Sequence, residues 1–233
     1  MVPSLCRRRG PGTGGAKTGR KDGAFGMDFY FAGGAMEVGG SCIDLRTSGY
    51  HLVMDSGIRQ GAGAKDPLPD FRGVQERGSV DAILVSHAHM DHTGSLPLLS
   101  RSFPAARIYM TGMTMELTRI LLYDSLKLMA MREEELPQYT EEDVRAMLGR
   151  ITPVRYQAET EILPGLKVTF YPAGHIAGAA CIFVQGAEGS CFYSGDISGF
   201  AQQTIEGIGI PRLRPDVCIL ESTYGDRLHA SVR

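Results

Sequence analysis

The sequence predicts an α+β fold in which layered sheets are covered by helices. Two observations carry this reading. From Met27 onward, nine short runs rich in β-branched and aromatic residues are separated by glycine-bearing turns. Between pairs of these runs lie three segments with helical signals, and strands and helices so interleaved bury their apolar faces as a layered sandwich.

The strand runs are Met27–Phe31, Ser41–Arg46, Tyr50–Met54, Asp81–Val85, Arg107–Met110, Lys167–Tyr171, Ala179–Val184, Ser190–Tyr193 and Asp216–Leu220. A first helix is expected from just after Asp91 to about Arg101, with Pro97 tolerated only near its first turns because it lacks an N–H. In Met115–Met131 the apolar residues Leu117, Ile120, Leu121 and Leu128 recur at helical spacing. Glu141–Leu148 forms the third helix, with Thr140 and Asp143 placed as a capping box. The sequence contains no internal repeat.

Composition narrows the class. With 43% apolar and 21% charged residues the chain is neither disordered nor fibrous. No run reaches the roughly 18 apolar residues of a membrane helix, so no membrane partner is expected. No apolar stretch precedes a small-residue cleavage site, so no secretory signal is expected either. The five cysteines include no C-x-x-C pair, and four of them lie in strand-like runs. They read as buried thiols of a reducing, cytoplasmic setting.

Charge is distributed unevenly. Residues 1–26 carry six basic side chains against Asp22, a local +5, which leaves −7 on the rest of a chain whose net charge is −2. This stretch also holds seven of the 30 glycines and a single aromatic residue, Phe25. It is expected to be a disordered basic extension, because it cannot bury enough apolar surface to offset its ordering entropy.

The chemistry concentrates in Asp81-Ala-Ile-Leu-Val-Ser-His-Ala-His-Met-Asp-His92. An apolar strand ends, and His87, His89, Asp91 and His92 follow at once. In extended backbone, residues two apart point the same way, so His87 and His89 are placed to grip one ion. Asp91 and His92 are offset and can serve a neighbouring ion. Imidazole and carboxylate form the ligand set that suits zinc and, less selectively, manganese or iron. His175 follows another strand in Tyr171-Pro-Ala-Gly-His-Ile-Ala-Gly, and Asp196 ends the next hairpin in Phe192-Tyr-Ser-Gly-Asp. Asp55, in Leu52-Val-Met-Asp-Ser-Gly57, also follows an apolar run. Their shared position, a strand end before a glycine-bearing turn, predicts convergence on one rim. His51 lies in mid-strand without ligand-like neighbours and reads as structural.

This set resembles the metallo-β-lactamase superfamily. The terminal Glu221-Ser-Thr-Tyr-Gly-Asp-Arg-Leu-His229 and the opening Phe31-Ala-Gly-Gly-Ala-Met-Glu-Val-Gly-Gly-Ser-Cys42 are similar to the β-CASP ribonuclease group within it. The helical insert at 113–150 also looks like that group. The resemblance implies an αββα sandwich, here incomplete, over residues 27–220, with the start of a β-CASP domain at 221–233. It implies two zinc ions, the first on His87, His89 and His175, the second on Asp91 and His92, with Asp196 between them. Asp55 would orient a ligand histidine, and Glu221 would belong to a second acid/base set completed by a later histidine. His229 is a candidate phosphate contact beside it.

The implied activity is hydrolysis of RNA phosphodiesters, endo- or exonucleolytic, by a metal-bound hydroxide, with single-stranded RNA as partner and a homodimer allowed. A (thio)ester hydrolase of the same superfamily and an inactive scaffold are the alternatives. Because the group's later ligands and its lid would lie beyond Arg233, the chain reads as an amino-terminal fragment with an incomplete second site.

Overall fold

The computed structural model describes residues 4–7, 26–59, 66–131, 138–209 and 212–225. In chain order the elements begin with β1 (Ser4–Arg7), β2 (Asp28–Gly33), β3 (Cys42–Thr47), β4 (Tyr50–Met54), α1 (Phe71–Glu76) and β5 (Ala82–Leu84). There follow α2 (Met90–Thr93), α3 (Leu96–Ser102), β6 (Arg107–Thr111), α4 (Gly112–Ala130), α5 (Glu141–Leu148) and β7 (Ile151–Val154). The last five strands are β8 (Thr160–Leu163), β9 (Leu166–Pro172), β10 (Ala180–Gly186), β11 (Gly189–Tyr193) and β12 (Val217–Leu220).

Two six-stranded sheets result. One has the order β2-β3-β4-β5-β6-β7, the other β1-β12-β11-β10-β9-β8. Leu45, Leu52, Met54 and Leu84 of the first sheet meet Phe170, Ile182, Val184 and Ile219 of the second in the core between them. On the outer face of the first sheet, Val53, Ile83, Ile108 and Met110 pack against Leu96, Leu99, Leu122, Val144 and Met147 of the helices. Each such fully buried aliphatic side chain contributes about 1.5–3 kcal/mol. The architecture is the mixed α/β sandwich expected. Among the described residues no helix covers the outer face of the second sheet, so the described layers run helix–sheet–sheet. There Ala173, Ala179 and Cys181 are covered by Tyr171, Phe192, Ile197 and Ile208. No described helix is long and apolar enough to cross a membrane.

The structure differs from the sequence reading in five places, two of them being α1 and β8, which the sequence reading did not include. Ser4–Arg7, within the stretch expected to be disordered, pairs antiparallel with Val217–Leu220. This strand satisfies the free backbone edge of β12; residues 8–25 lie outside the described ones. The single helix expected after Asp91 is two, α2 and α3. Pro97 inside one continuous helix would clash with the preceding turn, so the chain breaks at Gly94–Ser95 and restarts with Pro97 in the first turn of α3. β7, unpredicted because it contains Pro153, is an edge strand, where a missing N–H is tolerated.

Candidate metal centre

Strand direction gathers the functional side chains. β4 and β5 are parallel, so Asp55 and the Ser86–His89 segment emerge at the same edge of the first sheet. β11 and β12 are parallel, and β9 runs in the same direction through its antiparallel neighbour β10. His175, Asp196 and Glu221, each just beyond one of these strands, therefore share an edge of the second sheet. His89 caps the single turn α2 with extended backbone dihedrals, and Asp91 and His92 stand on that turn.

The structure brings six of the named side chains together in two groups. His87, His89, His175 and Asp196 can each offer one ligand atom, all within 4.8 Å of one another. Asp91, His92 and Asp196 form the second group under the same measure, so Asp196 belongs to both. Its Oδ1 is 3.3 Å from His92 Nε2, and its Oδ2 lies 3.7 Å from His87 Nε2 and 3.6 Å from His175 Nε2. His175 Nε2 and His89 Nδ1 face each other at 3.0 Å.

Asp55 sits beneath this cluster, fully buried, at a backbone φ of 60° that few residues besides Gly, Asn and Asp accept. Its Oδ2 accepts from His92 Nδ1 at 2.8 Å and from the Tyr193 hydroxyl at 2.7 Å. Its Oδ1 accepts the Ser86 N–H at 2.7 Å. With Nδ1–H committed to Asp55, His92 turns Nε2 toward Asp91 and Asp196.

The electrostatics follow from burial and these neighbours. Burial, helped by the charges of His92, His175 and His89, holds the His87 imidazole well below its ordinary range. Burial likewise dominates at His175, which is also lowered. For His92 burial opposes the charged form, but Asp55 and Asp196 outweigh it and push the imidazole up to about 10. Burial would raise Asp196, yet the hydrogen bond and charge of His92 and the charges of His175 and His89 hold it below the usual carboxylate range. Tyr193 is raised well above the ordinary phenol value by burial and by Asp55.

A divalent cation fits these residues. His87 Nε2 is buried and lacks a hydrogen-bond partner, an arrangement that costs free energy unless something else engages the atom. Three imidazoles and a carboxylate converge where that nitrogen points. A pocket lined by Asp91, His92, Asp196, Glu221 and Ser41 opens beside the cluster. Glu221 accepts the backbone N–H groups of Ile197 and Thr223, which hold its carboxylate in place.

His229 lies outside the described residues. His51 is buried at the opposite end of the strands, bonded to Asp44 Oδ2 and the Ser79 carbonyl, the structural placement expected. Sequence reasoning missed Ser86, Tyr193 and Ser41. Ser86 stands next to a candidate ligand at a strand end, which is the signal that could have marked it, whereas the partner of Tyr193, Asp55, is distant in the chain. Ser41 lies 3.5 Å from His92 Nε2 and comes from a distant loop, so nothing local marked it.

Comparison with known proteins agrees with this geometry. A family model described as "Metallo-beta-lactamase superfamily domain" matches residues 45–211. The chain is similar to Cleavage and polyadenylation specificity factor 73 of Drosophila melanogaster, 35% identical over 84% of this chain and 28% of that protein. It is also similar to Endoribonuclease ysh1 of Schizosaccharomyces pombe, 34% identical over 87% of this chain and 27% of that protein. Ribonuclease TTHA0252 of Thermus thermophilus is 36% identical over 86% of this chain and 44% of its own length. The chain thus spans less than half the length of these relatives. With a model spanning most of its length and a rim of histidines and aspartates to match, the chain belongs to the metallo-beta-lactamase superfamily.

Proposed function

We propose that this domain is the metal-binding centre of a zinc-dependent RNA phosphodiester hydrolase. The observation that carries the reading is the pair of donor groups sharing Asp196 at one rim of the sandwich. His87, His89 and His175 would hold one ion, Asp91 and His92 the other, and Asp196 both. Zinc is the metal of choice for a set so rich in imidazole. Bound there, a pair of divalent metals would supply Lewis acidity at the phosphate and would lower the pKa of bound water to about 7.

The chain's own residues do the rest. Asp55 orients His92, and Glu221 is held at the pocket wall as the acid/base group for the leaving side. The rest of the chain carries −7, so the attraction of phosphate must come from cations at the centre rather than from a basic face. RNA, rather than a small ester, is supported by the names of the three relatives above, two ribonucleases and a cleavage factor. Nothing in the described residues argues for a homodimer. A cytoplasmic setting is proposed, where the buried, unbridged Cys42, Cys181 and Cys191 stay reduced.

The test is single-turnover incubation of the zinc-loaded chain with labelled single-stranded RNA, beside Asp196→Ala and a thioester substrate. Slow zinc-dependent RNA cleavage, as an incomplete second donor group allows, is expected, and Asp196→Ala should abolish it. Thioester turnover without RNA cleavage would transfer the reading to the small-molecule hydrolases.

A further inference from the structure

We propose that Ser86 is a positioning residue that relays Asp55 to His87, so that one buried carboxylate sets the tautomer of a histidine in each donor group. The inference rests on the metal reading above and concerns how the ligands are prepared. The Ser86 hydroxyl stands 2.7 Å from Asp55 Oδ2 and 3.0 Å from His87 Nδ1. A hydroxyl carries one proton and two lone pairs. Asp55 faces four donors, the Ser86 N–H and hydroxyl, His92 Nδ1 and the Tyr193 hydroxyl, and is the acceptor of them all. The single Ser86 proton therefore goes to Asp55.

Only lone pairs of Ser86 then remain for His87, so His87 Nδ1 must be the donor of that pair. A neutral imidazole that carries its proton on Nδ1 has a bare lone pair on Nε2. Nε2 is the buried atom left without a partner and aimed at Asp196. His92 donates Nδ1–H to Asp55 directly, which leaves Nε2 as the ring nitrogen facing the second group. Without the relay, His87 could carry its proton on Nε2 and present an N–H where a ligand needs a lone pair.

Ser86 is itself locked. It is buried, its N–H is tied to Asp55 Oδ1, and a Cβ on the neighbouring Gly195 would crowd its side chain. Removing hydrogen-bond partners behind a ligating histidine typically weakens metal affinity about 10–100-fold.

The experiment measures ring tautomers by two-bond ¹⁵N–¹H correlation in the metal-free chain, and zinc affinity by competition with a chromophoric chelator. The wild-type chain should show His87 protonated on Nδ1. Ser86→Ala should mix the two His87 tautomers and weaken zinc binding about 10–100-fold. Tyr193→Phe, which removes a different donor from Asp55, should leave the His87 tautomer unchanged. Wild-type His87 protonated on Nε2 overturns the relay whatever the variants do. Unchanged zinc affinity in Ser86→Ala, or a Tyr193→Phe effect on His87 as large as that of Ser86→Ala, overturns it as well. A wild-type chain that binds no zinc overturns the metal reading and this inference with it.

Discussion

Gly57 lies flat against Asp91: a Cβ built on Gly57 would overlap the Asp91 carbonyl oxygen. The contact is part of a backbone seam. Ser56 N–H donates to the His92 carbonyl, Ile58 N–H to the Met90 carbonyl, and Ser41 N–H to the Asp91 carbonyl. The loop after β4, together with Ser41 before β3, thereby fixes the turn of helix that carries Asp91 and His92.

Gly57→Ala is therefore expected to push α2 outward, at a cost of about 1–3 kcal/mol as for other overpacked sites. Of the two donor groups, that of Asp91 and His92 should suffer first. Thermal melting and zinc content after dialysis check this together. A variant with wild-type stability and undiminished zinc would show that the seam gives way without consequence.

The donor groups differ in strength. The first offers three imidazoles and a carboxylate, whereas the second offers one imidazole and two carboxylates, one of them shared. Titration should give close to one tightly held zinc and a weaker second. Chelation should lower the melting temperature, because a ligand bound only to the native state at 100 times its Kd adds about 2.7 kcal/mol. Zinc content no greater than that of a His87→Ala, His89→Ala double variant would sink the assignment.

The legible parts of this molecule are those with local causes. His87 to His92 could be read because four ligand types are crowded into one strand exit, and the strands around them because apolar runs alternate with glycine turns. What stayed hidden depends on partners distant in the chain. Tyr193 bonds Asp55 across 138 positions, and no window of sequence contains both. Ser4–Arg7 is too short and polar to read as a strand, and only the open edge of β12 gives it a reason to be one. Pro153 hides β7 for a comparable reason, since only the sheet order reveals that its position is an edge.

The capping box of α5 gives a prediction remote from the centre. Thr140 Oγ1 accepts the Asp143 N–H, and Asp143 Oδ2 accepts the Thr140 N–H and the Arg101 guanidinium of α3. Thr140→Ala should cost about 1 kcal/mol and leave zinc content unchanged. Burial would raise the Asp143 carboxyl, but Thr140 and Arg101 outweigh it and hold it below the usual carboxylate range. A lowered native pKa means that its contribution is present above the unfolded value of about 4 and is lost as pH falls below it. The stability difference between wild type and Asp143→Asn should accordingly shrink on acidification through pH 4. A difference that stays constant there would remove the charge from the explanation.

The last prediction separates Asp91 from Asp196. Asp91, half-buried on α2, stands in one donor group, while Asp196 stands in both. On the proposed two-ion reading, Asp91→Ala should leave the tight zinc in place, remove the weak one, and abolish RNA cleavage. Asp196→Ala should weaken both ions together. Neither change opens the core between the sheets, whose cluster contains neither residue, so the melting temperatures of the metal-free chains should stay close to wild type. Zinc titration, melting and single-turnover cleavage on the two variants give six readings. If Asp91→Ala loses the tight zinc, or Asp196→Ala loses only one ion, the two groups are divided wrongly. If cleavage survives Asp91→Ala with the weak ion gone, a second ion is not needed for the reaction.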